Sequence, residues 1–268
     1  MSKGNFLAPG LFGLKRTHLQ LLRLLVGREL TLRYKRSILG IGWTMLNPML
    51  TSLVLWLVFS FLFAGKLESG QLFAPYLMAG VLMNTFFHQG LVQAASSIAS
   101  NAAILTKVAV PPRIFAFAAA LATLSNFLIG LLPLAFVVYA SGQQLSVFAP
   151  LVIVTGLFLA LLITGLGLML SILYIRFDDT KNIVNVLLLI LVYLTPVFYP
   201  IAILSDGMQK IVNLNPLTSY LDVFRWSFSG NAVGTWGDFI FLSLTGIIAF
   251  IIGNRIFKKF WPKTVAML

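Results

Sequence analysis

The sequence predicts an all-α integral membrane protein. It would have six transmembrane helices, an N-terminal amphipathic interfacial helix, and short re-entrant helices between spans five and six. Three observations predict this. First, 59% of the 268 residues are apolar and only 10% are charged, against about 45–50% and about 25% in an ordinary soluble domain. Second, residues 37–65, 69–106, 114–175, 182–205 and 239–254 contain no Asp, Glu, Lys or Arg. Third, the cations are strongly biased toward alternate connections of the chain. The same figures exclude a disordered chain and a nucleic-acid partner, since so few charges accompany so much Leu, Phe and Ile.

A spanning helix needs about 20 apolar residues, because the hydrocarbon core is about 30 Å thick and each residue rises about 1.5 Å. The charge-free stretches therefore give spans at roughly 41–63, 75–98, 114–140, 149–174, 183–204 and 239–257, the last with Arg255 snorkelling to the headgroups. Ser141-Gly142-Gln143-Gln144 is the turn that divides the 62-residue gap into spans three and four. With six spans both termini share a side, and that side holds 16 of the 19 Lys and Arg residues. The opposite side would hold only Lys66, Lys210 and Arg225. Positive charge stays cytoplasmic, so the chain is expected to be multi-pass with both termini cytoplasmic.

Three segments follow: a cytoplasmic N-terminal segment over 1–40, a transmembrane domain over 41–257 and a cytoplasmic tail over 258–268. No secretory signal is expected, because the first long apolar run starts only after Arg36. Residues 17–36 mix leucines with Arg23, Arg28, Glu29, Arg33, Lys35 and Arg36. That composition suits a helix in the cytoplasmic interface, apolar stripe in the acyl chains and basic stripe outward. No inverted repeat of the kind found in many secondary transporters is visible.

Catalytic chemistry is not legible. There is no cysteine, and His88, beside Asn84 and Gln89, is the one ionisable candidate within a span. A hydrogen-bonded packing role suits His88 better than a proton relay, which needs a titratable partner. No metal site and no general acid–base pair can be assembled. Asp178 and Asp179 lie in the charged turn Arg176-Phe177-Asp178-Asp179-Thr180-Lys181, where salt bridging and helix capping account for them. No phosphate loop occurs, since Gly65-Lys66 has Ser60 where the first glycine belongs. No catalytic residue and no cofactor is therefore expected on this chain.

Other features are informative. Thr195-Pro196-Val197-Phe198-Tyr199-Pro200 must break the outer end of span five, because two prolines remove two amide donors. Broken helix is tolerated at membrane depth only against protein or water. Residues 211–229 are too polar to span and too apolar for a free loop; re-entrant helices and an aromatic interfacial belt are two accounts of them. Ser100-Asn101 begins a capped two-turn helix that stops at Pro111-Pro112. That helix reads equally as a docking knob and as an ordinary connection.

Four stretches in this order carry a resemblance. They are Arg33-Tyr34-Lys35-Arg36-Ser37-Ile38-Leu39-Gly40-Ile41-Gly42-Trp43 with Leu46-Asn47-Pro48; Lys107 with Pro111-Pro112-Arg113; Arg176-Phe177-Asp178-Asp179; and Thr195-Pro196-Val197-Phe198-Tyr199-Pro200 with Asn215-Pro216-Leu217 and Arg225. The chain resembles ABC-2 type permeases that export polysaccharides, including the O-antigen and teichoic-acid exporters. The resemblance implies a homodimer bound to two copies of a cytoplasmic ABC ATPase, which carries the ATP and Mg, and a lipid-linked glycan as substrate. It implies ATPase coupling through the interfacial helix and the loop after span two, here Arg28, Glu29, Ser100, Asn101, Lys107 and Arg113. It places Trp43, Trp56, Tyr193, Thr195, Pro196, Phe198 and Tyr199 on the conduit wall or its gates. If the carrier is a polyprenyl pyrophosphate, Arg33, Tyr34, Lys35 and Arg36 at the mouth of span one meet it; positive-inside placement alone would also put these cations there. A permease for a small drug or lipid, a channel and a membrane-embedded transferase are the rival readings.

Overall fold

A computed structural model describes residues 16–35, 37–63, 72–108, 110–143, 145–229 and 234–267. Among these residues the regular structure is entirely helical. In chain order the helices are α1 (Arg16–Tyr34), α2 (Gly42–Phe63), α3 (Phe73–Ser100), α4 (Ala102–Leu105), α5 (Arg113–Ala140), α6 (Leu151–Arg176), α7 (Thr180–Tyr193), α8 (Asp206–Asn213), α9 (Pro216–Ser229) and α10 (Trp236–Thr264).

Among the described residues four helices are long and apolar enough to cross a membrane: α2, α5, α6 and α10. The two other expected spans each miss one requirement. With 28 residues, α3 is long enough, but it carries Asn84, Thr85, His88, Gln89 and Gln93. The apolar α7 stops at Tyr193 after 14 residues, about 21 Å of rise, instead of continuing to 204. The chain after it cannot stay helical, because Pro196 and Pro200 supply no amide donor.

The core is built on α3, α5 and α6, with α9 inserted beside them. Phe86 stacks on Phe127 at 4.8 Å between ring centroids, and Phe224 of α9 meets Phe127 at 5.4 Å. Small residues bring the backbones together, as is usual where the surrounding lipid supplies no hydrophobic drive for association. A Cβ on Gly253 of α10 would lie 2.1 Å from Gly165 O of α6, and one on Gly167 of α6 would lie 2.5 Å from the Ala94 Cβ of α3. The face of α10 away from α6 is exposed, with Ile240, Leu244, Ile247 and Ile251 outward.

Local expectations are revised in several places. The aromatic residues of 211–229 are not a belt: Tyr220, Phe224, Trp226 and Phe228 are buried in the protein, and Tyr220 Oη donates to Leu242 O at 2.7 Å. Short helices do lie between α7 and α10, but α9 packs into the core because its apolar side faces α6 and α10. The helix after α3 is one turn, and Asn101 does not cap it, since its side chain is turned to α1 and α3. Pro111 and Pro112 lead into α5, with Pro112 as its N-cap, instead of ending a helix, and at a helix start the missing amides cost nothing. Asp178 and Asp179 are exposed and make no ion pair among the described residues, and Asp179 accepts no capping bond. The turn is short enough for both carboxylates to reach solvent. The Ser141–Gly142 turn stands as expected, with Gly142 at φ 74°.

Candidate translocation path and coupling face

At one end of the bundle, α1 is pinned to α3. Arg28 Nη1 donates to Asn101 Oδ1 at 2.6 Å, and Asn101 Nδ2 donates to Ser97 O at 2.8 Å. Glu29 lies 4.0 Å from the same guanidinium. Five residues on, Arg33 Nη1 donates to Gln89 Oε1 at 3.3 Å. On the basic side of α1, Arg23 and Arg28 are exposed and Arg33 is half-buried, and two of them bond to neutral amide acceptors, Arg28 to Asn101 just after α3 and Arg33 to Gln89 on α3. Leu25 is buried beneath them, while Leu24 and Leu32 are exposed.

The expected coupling residues are only partly brought together. Arg28, Glu29 and Asn101 form one cluster, and Ser100 Oγ turns back to Ser96 O at 2.9 Å. Lys107 is exposed in the bend after α4. Arg113 instead joins α5 to α10, its Nη1 donating to Asn254 Oδ1 at 2.7 Å.

The connection between α1 and α2 turns on Gly40, whose φ of 52° only glycine adopts without strain. Tyr34 is committed to holding this connection. It donates to Asn126 Oδ1 of α5 at 3.1 Å and shares a hydrogen bond with Thr44 Oγ1 of α2. Lys35 is exposed, and Arg36 lies outside the described residues. Arg33 is half-buried, with Nη1 committed to Gln89.

Beyond α7, the proline-broken segment is held by three side chains from elsewhere in the chain. Asn215 Nδ2 donates to Thr195 Oγ1 at 2.8 Å and to Leu194 O at 3.2 Å. Tyr76 Oη, from α3, donates to Tyr199 O at 2.8 Å. Arg225, from α9, donates from Nη1 to Pro196 O at 2.9 Å, from Nη2 to Val197 O at 3.1 Å, and from Nε and Nη2 to Tyr76 O at 3.3 and 3.2 Å. Its Cζ lies 3.4 Å from the Tyr76 ring centroid, a cation–π distance. Asp222, one turn earlier on α9, supplies nearby negative charge.

Arg225, one of the three cations assigned to the non-cytoplasmic side, is 1% exposed. The reason is the broken helix: carbonyls released by the prolines need donors away from water, and a planar guanidinium offers five. The signal lay in the sequence, where a single Arg interrupts the apolar run Val223-Phe224-Arg225-Trp226 just downstream of a proline-broken helix. Gly80 makes room for it, since a Cβ there would lie 2.6 Å from Val197 O and 2.9 Å from Arg225 Nη2.

The residues expected on a conduit divide into two sets. Trp43 (48% exposed), Trp56 (38%) and Tyr193 (65%) lie on open faces of α2 and α7. Thr195 and Pro196 are buried and build the broken segment itself, while Phe198 and Tyr199 are half-buried beside it. Tyr199 Oη donates to Tyr193 O at 2.7 Å, which ties the segment back to the end of α7.

The comparisons with known proteins agree with this architecture. The chain is 29% identical over 241 residues to the O-antigen export system permease protein RfbA of Myxococcus xanthus, covering 88% of this chain and 90% of that one. It is 25% identical to the protein of the same name from Klebsiella pneumoniae, covering 89% and 91%. It is also 22% identical to the capsule polysaccharide export inner-membrane protein CtrC of Neisseria meningitidis, covering 88% and 89%. The family model for ABC-2 type transporters matches residues 20–229, a stretch reaching from α1 through the broken segment to the end of α9, and the chain belongs to that family.

Proposed function

We propose that this chain is the membrane permease subunit of an ABC exporter that carries a lipid-linked polysaccharide, O-antigen-like or teichoic-acid-like, across the bacterial inner membrane. The observation that carries this reading is similarity along nearly the whole length of both chains to permeases named for O-antigen and capsule export. Six membrane crossings, with α3 and α7 as the second and fifth, leave both termini cytoplasmic. The chain has no phosphate loop of its own, so hydrolysis belongs to a separate ATPase, two copies of which serve a homodimer. The open apolar faces of α2 and α7 support pairing of two such chains around a shared path.

Arg28, Glu29, Ser100, Asn101, Lys107 and Arg113 form the ATPase side, and the Arg28–Asn101 bond links the interfacial helix to the loop that the ATPase would move. Arg33, Lys35 and Arg36 meet the pyrophosphate of the carrier through charge-assisted hydrogen bonds. Neutralising Arg33 and Arg36 singly should abolish export while insertion and ATPase binding persist; unchanged export removes that contact. The reading as a whole is tested by purifying the chain with its neighbours. A stoichiometric soluble ATPase and intracellular glycan accumulation on silencing are expected. Sustained glycan movement by the chain alone, without any ATPase, would overturn it.

A further inference from the structure

Across α3, the residues packed on α5 and α6 are almost wholly apolar or small, whereas the half-buried ones are mostly polar: Asn84, Thr85, His88, Gln89, Gln93 and Ser96. They recur at three- and four-residue spacing and so share one side of the helix. From Asn84 to Ser96 the column rises about 18 Å. Ser96 bonds to Val92 O, and Gln89 accepts from Arg33. The side chains of Asn84, Thr85, His88 and Gln93 have no hydrogen-bond partner among the described residues.

Unpaired amides and an imidazole facing lipid would each cost several kcal/mol, so this side of α3 must meet protein or water. The helices α2 and α7 pack against α3, yet among the described residues no hydrogen bond from either reaches these four side chains. At its upper end the column meets a small apolar groove of about 10 Å³ lined by Asn84 with Gly80, Met83, Phe87, Thr195 and Val197. That groove runs against the segment held by Arg225.

We infer that the polar side of α3 is a water-filled track along which sugar hydroxyls of the moving glycan exchange hydrogen bonds. The inference rests on the export reading above and assigns its substrate contacts to α3 in addition to the aromatic residues of α2 and α7. Neutral amides, a hydroxyl and an imidazole match neutral hydroxyls as both donors and acceptors. They also hold no fixed charge that would trap the chain, and conduction needs contacts weak enough to leave.

The chain contains no cysteine, so single substitutions Asn84→Cys, His88→Cys and Gln93→Cys each place one label on this chain, read on its own band after the intact complex with its ATPase is treated. A membrane-impermeant sulfonated thiosulfonate, which needs water to reach an ionised thiol, should modify all three. It should not modify Ile247→Cys on the exposed apolar face of α10. The double variant His88→Leu/Gln93→Leu should insert and bind the ATPase yet lower surface glycan by about tenfold, the effect of roughly one net hydrogen bond along the path. Three unreactive thiols or wild-type export by the leucine variant would each overturn the inference. A dry column in a complex that exports removes this inference alone, whereas a wild-type complex that moves no glycan removes the export reading with it.

Discussion

Replacing Arg225 with methionine keeps much of the volume and removes every donor that α9 extends to the broken segment. Val197 O then loses its recorded donor, and Pro196 O keeps only the longer bond from Tyr76 Oη at 3.3 Å. Each well-formed bond from a charged donor contributes about 1.5–3 kcal/mol, and two such bonds, at 2.9 and 3.1 Å, are lost. The cation–π contact with Tyr76 goes as well, while relief of the buried charge returns part of the loss. The net cost is about 3–5 kcal/mol, the range found when one partner of a buried charged contact is removed. At about 2–4 °C per kcal/mol for a chain of this size, the melting transition falls by roughly 10 °C. Thermal denaturation of a fluorescent fusion in detergent, read as the surviving monodisperse peak, measures it. Limited proteolysis should in parallel open new cuts between residues 194 and 205. Arg225→Lys keeps a cation over Tyr76 but cannot serve three carbonyls at once, so it should lose about half as much. A methionine variant that melts within a few degrees of wild type, with no new cuts, would show that the carbonyls of the broken segment do not depend on Arg225.

Gly253→Ala should fail to give a stable protein, or cost at least about 3 kcal/mol, because its Cβ falls 2.1 Å from the Gly165 backbone. Gly207→Ala in α8 meets nothing within 4 Å and should be neutral or stabilising by about 0.5–1 kcal/mol; a melting comparison of the two variants checks both. Arg28→Ala and Asn101→Ala should each reduce ATP-driven export, and the double variant should be no worse than either, because they remove the same bond; losses that add would refute a shared link. Thr235→Ala should cost about 1 kcal/mol by removing the capping box in which Thr235 Oγ1 accepts from Asp238 N and Asp238 Oδ2 accepts from Thr235 N, again read from the melting transition.

Much of the candidate site was legible in the residue order. Charge-free length alone located α2, α5, α6 and α10, and the two prolines marked the end of α7 as broken before any packing was known. Tyr34 and Asn101 stand out in the sequence as candidates, but their partners do not. Asn101 reads as a helix cap from its neighbours and in fact receives Arg28 from a helix 73 residues away. The aromatic residues of α9 were equally ambiguous, since Trp and Tyr suit both a headgroup belt and a core, and only the packing of α9 against α6 and α10 decides between them.

What this sequence determined by itself is the solvent in which the chain folds and the places where helices begin, end and break. Those follow from local quantities: the apolar length needed to cross a bilayer, the missing amide of proline and the freedom of glycine. Only the tertiary structure decided which polar groups meet. It made Arg225, in the sequence only a cation of the non-cytoplasmic side, the donor that holds the segment after α7, and it left one side of α3 polar and half-buried. Such outcomes depend on contacts between residues far apart in the chain, whose geometry is set when the small-residue faces of the helices close on one another.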